Sequence, residues 1–532
     1  MKKWLVVIIL SFAQFIMVLD STVMNVSISE IVADLHTSVS GLQIAITFYT
    51  LVMAAMMLTG GKLGDIWGRL KTFKIGLLIY GIGALITAIS TGLPTLIIGW
   101  SFVEGFGAVL VIPAVVALVA ANYKGKDRVV AYGILGAVSG AAAAAGPLIG
   151  GAVTTYLSWR YVFAAETVIV LIILFFFVNK IKDIEIKNKS TLDIPSVLLS
   201  AGGIFMIVYA ILQSKTWGWI DPMSAPVING QPFTPFGYSV VPFMIIIGIG
   251  ILWFFTQRQI HLKSINKTPL LDVSMLRIAA LRSGLANITI QYLLTGGLFF
   301  ILPVYLQMTL GLDALSTGLK ILPLSVALVF FSLLGAKLVS KYSPKKIMVI
   351  GKYLIIGGLF ILLYSIGPDL KDTMFQIGMF LVGGGMGLMA SQIGNVILSS
   401  VEDTQTSEAG GLQGTFQNLG SSFGTALIGS VLIASLTTGF VTNATDTSST
   451  LPTNIQQYIT DNSKSGISVV SKNDVYNYSI DKGLTKTEAT DISDYYSEAQ
   501  MASLKKSMLV LAFLALLGLL FSKGLPDQII KK

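Results

Sequence analysis

Gly61-Lys62-Leu63-Gly64-Asp65-Ile66-Trp67-Gly68-Arg69-Leu70-Lys71 lies between two long apolar runs. Glycines at 61, 64 and 68 permit a tight turn. One acid stands among several bases, so Asp65 can pair with a neighbour such as Arg69 or with a helix terminus. A charged, glycine-bearing turn pinned between two membrane spans suits a protein whose halves lock and release. A charged turn that only sets orientation is the competing reading, and the Gly-x-Leu-x-Asp-x-x-Gly-Arg spacing speaks against it.

The composition around this turn excludes an ordinary soluble protein. Of the 532 residues, 54% are hydrophobic and only 12% are charged, and the mean hydropathy is +0.77. A soluble domain carries about 25% charged residues. Apolar runs of 18 or more residues, each able to cross a hydrocarbon core of roughly 30 Å, recur along the chain. With no cysteine there is no disulfide, thiol catalysis or thiolate site, and the only two histidines, His36 and His261, fall far apart in loops. No metal site and no cofactor are expected. The net charge of +9 does not signal nucleic acid, because no basic, aromatic-interleaved soluble segment carries it. Most Lys and Arg fall in the two ends and in every second loop, which places both termini in the cytoplasm. Membrane lipids are the partners those bases would touch. The apolar run from Trp4 contains Asp20 and lacks a small-x-small cleavage site, so it reads as a retained first span.

Fourteen spans are expected, at about 4–27, 43–62, 73–92, 95–118, 129–153, 161–180, 195–213, 238–256, 283–308, 316–339, 347–366, 374–398, 409–438 and 506–523. The corresponding division is an N-terminal six-helix bundle, 1–180, then a linker with two extra spans, 181–281, then a C-terminal six-helix bundle, 282–532. The fold class is an all-α membrane protein of two bundles, 6+6, plus the linker pair. In the segment 214–237, Asn229-Gly230 favours a two-residue turn and a short β-hairpin. The Thr-, Ser-, Asn- and Asp-rich stretch 439–504 reads as a partly ordered outer cap without a sizeable apolar core, helix-like over 484–504. The stretch 337–346 is a degraded counterpart of 62–71 that keeps the bases and loses the Asp and the Gly. Two pseudo-equivalent bundles with a site between them are a recurrent transporter plan.

These residues resemble the major facilitator superfamily, and more narrowly its fourteen-span drug:proton antiporters, over nearly the whole chain. The resemblance rests on 61–71, on Leu19-Asp20-Ser21-Thr22-Val23-Met24-Asn25-Val26, and on Gly136-x-x-x-Gly140 followed by Gly146-Pro147-x-x-Gly150-Gly151 and Trp159-Arg160. Later matches include Leu192-Asp193, Trp217-Gly218-Trp219, Pro269-Leu270-Leu271-Asp272 and Tyr305-Leu306-Gln307 with Gly318 and Pro323. Three positions depart from the family pattern. Where the fourth span carries Arg-x-x-Gln-Gly, this chain has Ser101-Phe102-Val103-Glu104-Gly105. Where span 13 often has Arg-Gln-x-Gly, it has Gln417-Asn418-Leu419-Gly420. Glu166 replaces a usual Asn in span 6. The resemblance implies no enzyme but proton-coupled export of lipophilic small molecules across the plasma membrane of a bacterium, by a monomer working through alternating access.

Within that frame Asp20, about 24 Å into the first span at 1.5 Å per residue, either carries a proton, faces a cation, or serves as hydrogen-bonded helix glue. Glu104 is the second candidate, with a neutral stand-in for the glutamine as its alternative. Glu166 falls near the outer end of its span, where solvation or pairing with Arg160 competes with a site role. No cation lies inside the first six spans to neutralise these acids, which favours lipophilic cations as cargo. Asn25, Gln307, Gln417 and Asn418 are candidate cavity-lining polar groups. Gly61, Gly64, Asp65, Gly68 and Arg69 form the expected cytoplasmic latch. Gly136, Gly140, Gly146, Pro147, Gly150 and Gly151 form a smooth, kinked face that the resemblance makes a sealing interface, with Gly383, Gly384, Gly385 and Gly387 as partners. Export of a lipid or lipid-linked molecule is the alternative within transport. A non-transporting membrane sensor or scaffold is the alternative of another class.

Overall fold

The computed structural model describes residues 4–123, 125–181, 191–228, 230–339, 341–402, 405–446, 451–463 and 466–528. Asn229 and most of the segment 181–193 fall outside the described residues, and of Gly136 and Gly140 only the helical backbone is described. The long helices, in chain order, are α1 (Leu5–Val26), α2 (Val39–Trp67), α3 (Arg69–Ala88), α4 (Leu93–Val119), α5 (Gly125–Tyr156), α6 (Arg160–Phe177), α7 (Ile194–Trp217), α8 (Val240–Ser264), α9 (Ala279–Thr309), α10 (Ala314–Leu338), α11 (Pro344–Ser365), α12 (Asp372–Leu398), α13 (Thr406–Thr445) and α14 (Lys486–Ser522). Thirteen helices among the described residues are long and apolar enough to cross a membrane, and the 32-residue α5 occupies the place of the expected fifth span.

Helix boundaries follow local chemistry. Ser38, Asp193, Ser239, Asp313, Ser343 and Thr485 each accept a backbone N–H at the start of a helix, which satisfies one of the donors a helix leaves open there. The turn read at 61–71 is tighter than expected. α2 continues through Gly61, Gly64 and Asp65 to Trp67, and the whole reversal is made by Gly68 at φ 98°, a backbone region that glycine enters without steric cost.

In hydrocarbon, helices associate through close packing rather than water exclusion, and the small residues decide where. Within the first six helices, α3 packs on α4 and α6, α4 on α2, and α1 on α5. A Cβ on Gly83 would lie 2.4 Å from the backbone N of Glu104, and one on Gly107 would lie 2.4 Å from that of Tyr80. In the later half, Gly383 and Gly387 press on the carbonyls of Leu324 and Leu328 in α10, and Gly385 presses on that of Gly351 in α11. The expectation that these glycines face α5 is therefore corrected, because they close α12 onto its own neighbours.

The two halves meet along two seams, α2 with α13 and α5 with α10. In the linker pair α7 packs on α8 and lies against α2 and α13. The expected hairpin forms with Val227 opposite Pro232 and Ile228 opposite Gln231, and Gly230 has φ 80°. The cap is helical from Lys486, as the sequence suggests, and more ordered elsewhere than expected. Helices Thr453–Asn462 and Lys472–Asp481 pack toward a small apolar core of Phe440, Leu451, Ile459, Val469, Ile492 and Tyr496. The last long helix starts at Lys486, well before 506, because Thr485 and Glu488 form a capping box. Its first turns are amphipathic and use Tyr496 as the anchor, 1% exposed, with its hydroxyl donating to the Ser468 carbonyl at 3.0 Å.

Candidate functional site

Three carboxyl groups from three helices converge in the core of α1–α6. Asp20 on α1, Glu104 on α4 and Glu166 on α6 each offer an oxygen, and these oxygens lie within 4.8 Å of one another. All three residues are buried, at 0%, 0% and 1% exposure. Aromatic groups hold the cluster. The Trp100 indole N–H donates to Asp20 Oδ1 at 2.7 Å, and the Tyr80 hydroxyl donates to Glu166 Oε2 at 3.1 Å. Thr87 reaches Glu104 Oε2 at 3.5 Å. Tyr49 stacks flat on Trp100, with centroids 4.6 Å apart. One oxygen of each acid, and the Tyr49 hydroxyl, are buried without a hydrogen-bond partner.

The sequence builds this convergence through glycine. Gly76, Tyr80, Gly83 and Thr87 follow one another at three- and four-residue steps, so they share a face of α3. The glycines on that face let α4 come within backbone contact. Glu104 ends a π-helical stretch, Ile97–Glu104, a wider winding that recurs at functional sites. Glu166 is not the interfacial residue its place in the sequence suggests, and Arg160 does not pair with it. Arg160 instead pairs with Asp34 and donates to the Ser90 carbonyl at 2.6 Å. Trp100 and Tyr80 were missed as site residues. Their signals were the i, i+4 spacing of Trp100 and Glu104 and the glycine-flanked Tyr80.

A charge buried at this depth costs several kcal/mol unless it is neutralised. Among the described residues no lysine, arginine or histidine neighbours the three acids. The cluster therefore has to hold protons or a cation. An all-oxygen donor set suits a hard ion as well as protons.

The other candidate residues have different work. Gln307 bridges the halves, donating to the Val26 carbonyl at 2.5 Å and accepting from Ser29 N–H at 3.0 Å. Asn25 and Asn418 donate to carbonyls of their own helices, Ser21 at 2.6 Å and Gly414 at 2.9 Å, and Gln417 is half-buried. Gly146 and Gly150 receive Thr22 and Val23 of α1, while Gly151 receives the backbone of Ala314 in α10. A Cβ on Gly318 would lie 2.2 Å from the Pro147 carbonyl oxygen. Leu315 N–H donates to the Thr155 hydroxyl at 3.1 Å. The Gly-Pro-Gly-Gly end of α5 is thus closed against α10, at the end of the molecule opposite Gly68. At the Gly68 end, Asp65 accepts from Arg69 at 3.4 Å. Gly64 has open space beside it, and Gly61 only touches Pro113. In the degraded counterpart the missing acid comes from the tail. Asp527 accepts from Ser343 at 2.7 Å and from Lys345 at 3.4 Å.

Residues 10–425 match the family model described as Major Facilitator Superfamily. The chain belongs to the major facilitator superfamily. As a family member it is a multi-pass transporter of the plasma membrane, and its relatives include resistance and export proteins. It is 28% identical to the puromycin resistance protein pur8 of Streptomyces alboniger, over 81% of this chain and 82% of that one. It is 26% identical to the methylenomycin A resistance protein of Bacillus subtilis (strain 168), over 81% and 88%. Among solved structures, the inward-facing, unoccupied bacterial homolog of the human lysosomal transporter Spinster shares the fold with TM-score 0.60 at 14% identity, over 98% and 97% of the two chains. The expectation of a helical major facilitator fold related to drug exporters, drawn from Asp20 and the Gly-Pro-x-x-Gly-Gly stretch, therefore holds.

Proposed function

We propose that this member of the superfamily exports lipophilic, cationic small molecules in exchange for protons, by alternating access. One observation carries the reading: three buried carboxyls from α1, α4 and α6 lie within 4.8 Å of one another with no basic side chain beside them among the described residues. Such a cluster stays buried only when neutralised. With Asp20 sealed at 0% exposure, a bulky cargo has no room beside it in this conformation, so the proton is the species assigned to it here. Residues 1–180 and 282–532 are the rocking units, and 181–281 is the linker. Pro147, Gly151 and Gly318 seal the outer end, Gln307 clasps it, and Asp65 with Arg69 steadies the cytoplasmic end. The relatives' printed roles in puromycin and methylenomycin resistance support export of small molecules.

The test is ethidium efflux from cells, with and without a protonophore, for wild type and Asp20→Asn. Wild-type efflux is expected to stop with the protonophore, and Asp20→Asn to abolish it. Efflux that persists in both conditions sinks the reading. A second reading is export of a lipid or lipid-linked molecule, for which an apolar cavity between α2, α4 and α7 offers room.

A further inference from the structure

That cavity has a volume of about 290 Å³ and a wall that is almost wholly apolar. Phe48 and Met56 of α2, Phe102 of α4, and Ala201, Gly202 and Phe205 of α7 line it. Small residues make the space. A Cβ on Gly202 would meet nothing within 4 Å, so a larger side chain there would fill the cavity rather than collide with the backbone. Phe102 and Phe205 are exposed at its rim, at 44% and 41%. The linker helix α7 forms one wall of the site, which a spacer would not need to do.

The lining has a direction. Phe102 and Phe48 lie 5.8 Å apart, Phe48 and Phe205 6.2 Å, Phe205 and Tyr209 5.4 Å, and Tyr209 and Trp217 5.9 Å. This is a continuous run of rings from the cavity along α7 to its last residue. Ring faces are negative and attract organic cations, most strongly where water is absent. The two helices that supply Phe48 and Phe102 carry the acid cluster's residues on their other faces. Tyr49 follows Phe48 directly, and Glu104 stands two residues beyond Phe102. Gly105 of α4 lies against Tyr49, where a Cβ would be in ordinary contact with the ring at 3.4 Å. The acid cluster therefore lies one layer of helix from the cavity, and a carboxylate left there on proton release would add its attraction to that of the rings. Lys215, the basic residue within α7, gives its ammonium to Ser40 at 2.5 Å and Gln43 at 2.9 Å, neither of which lines the cavity.

We propose that this seam between α2, α4 and α7 is a binding site for a planar aromatic cation, which enters sideways from the bilayer with its rings among Phe48, Phe102 and Phe205. The site rests on the export reading above and names where the cargo first binds. Ring complementarity selects the cation over a hydrocarbon tail, for which the run of rings would be superfluous.

The experiment compares purified wild type, Gly202→Leu and Phe102→Leu in phosphatidylethanolamine–phosphatidylglycerol vesicles. Binding of ethidium and of tetraphenylphosphonium is measured directly, alongside ethidium efflux driven by a pH gradient. Gly202→Leu is expected to weaken binding of both probes at least tenfold and to raise the efflux KM in step. Phe102→Leu, which keeps the apolar volume and removes a ring face, is expected to weaken binding about threefold to tenfold. A diazirine-bearing acyl lipid is then photolysed with and without ethidium, and labelling near Gly202 should fall when ethidium is present. Wild-type affinity in a correctly folded Gly202→Leu overturns the site while leaving export intact. Labelling that ethidium does not displace makes this an acyl-chain groove and overturns it equally. A wild type that neither binds nor exports either cation overturns the export reading together with the site.

Discussion

Gly318 rests against Pro147 so closely that a Cβ on it would lie 2.2 Å from the Pro147 carbonyl oxygen. That contact joins α10 to α5 across the two halves, and it exists only because one partner has no side chain. Gly318→Ala must push the helices apart at this end. Overpacking of this kind costs about 1–3 kcal/mol, charged wholly to the closed arrangement, and each 1.4 kcal/mol is about tenfold in population. The chain has no cysteine, so Thr155→Cys with Leu315→Cys, whose parent residues are bonded at 3.1 Å, reports closure without background. Disulfide formation should slow about tenfold or more when Gly318→Ala is added. An unchanged rate would show that this contact does not hold the end shut.

Trp100 is the one hydrogen-bond donor to Asp20 among the described residues. Trp100→Phe keeps an aromatic ring against Tyr49 but leaves both carboxyl oxygens of Asp20 bare, since Oδ2 already lacks a partner. Stranding a buried polar group costs about 1–3 kcal/mol, whereas replacing both partners by apolar groups is close to neutral. Trp100→Phe should therefore lower the thermal midpoint in detergent, and Asp20→Leu combined with Trp100→Phe should recover most of the loss. If the double variant is as unstable as the two single losses added together, the pair is not coupled.

The spans were legible because each is a long apolar run, and several starts were legible from capping residues such as Ser38, Asp313 and Ser343. The hairpin was legible from Asn229-Gly230 alone. The meeting of Asp20, Glu104 and Glu166 was not. Hydropathy places each acid at a depth but says nothing of which way a side chain turns around its helix. Glu166 looked interfacial because it follows Trp159-Arg160 closely, yet α6 begins at Arg160, so six residues already carry it about 9 Å inward at 1.5 Å per residue. The cap core around Tyr496 was hidden for a related reason. Its apolar residues are spread thinly over the polar stretch 439–504 and only assemble once the last helix is extended back to Lys486.

Lys215 and Gln43 give a sharper test of burial against bonding. Lys215 is 4% exposed and Gln43 is 0% exposed. Gln43 also donates to the Thr425 carbonyl at 3.0 Å, so α7, α2 and α13 are tied through one amide. Gly429 makes room for it, since a Cβ there would be 2.0 Å from the Gln43 amide nitrogen. Lys215→Met leaves one amide oxygen unpaired, at about 1–3 kcal/mol, but removes a buried ammonium whose desolvation costs several kcal/mol. The charge relief is the larger effect, so Lys215→Met should be at least as stable as wild type. Gln43→Leu keeps the ammonium and removes one of its two partners, leaving Ser40, a loss of about 1.5–3 kcal/mol for a charged hydrogen bond. Thermal unfolding of the two variants should separate in that order, and the reverse order refutes the argument.

Asp193 precedes α7 and joins it to α8. Arg258 donates to both of its oxygens, at 2.6 Å and 2.7 Å, and Ser196 N–H donates at 3.0 Å. The Arg258 bonds hold the Asp193 carboxyl well below the usual carboxylate range. A group whose folded value is depressed stabilises the fold fully above its unfolded value and loses that contribution as pH falls toward the folded one. The unfolded value is about 3.9. Asp193→Asn should therefore lower the thermal midpoint at pH 7, by the same amount down to about pH 5, and the gap to wild type should begin to close only below about pH 4. A gap that widens as the solution is acidified would mean that Arg258 stabilises the protonated acid, against the geometry of two donors meeting two acceptors.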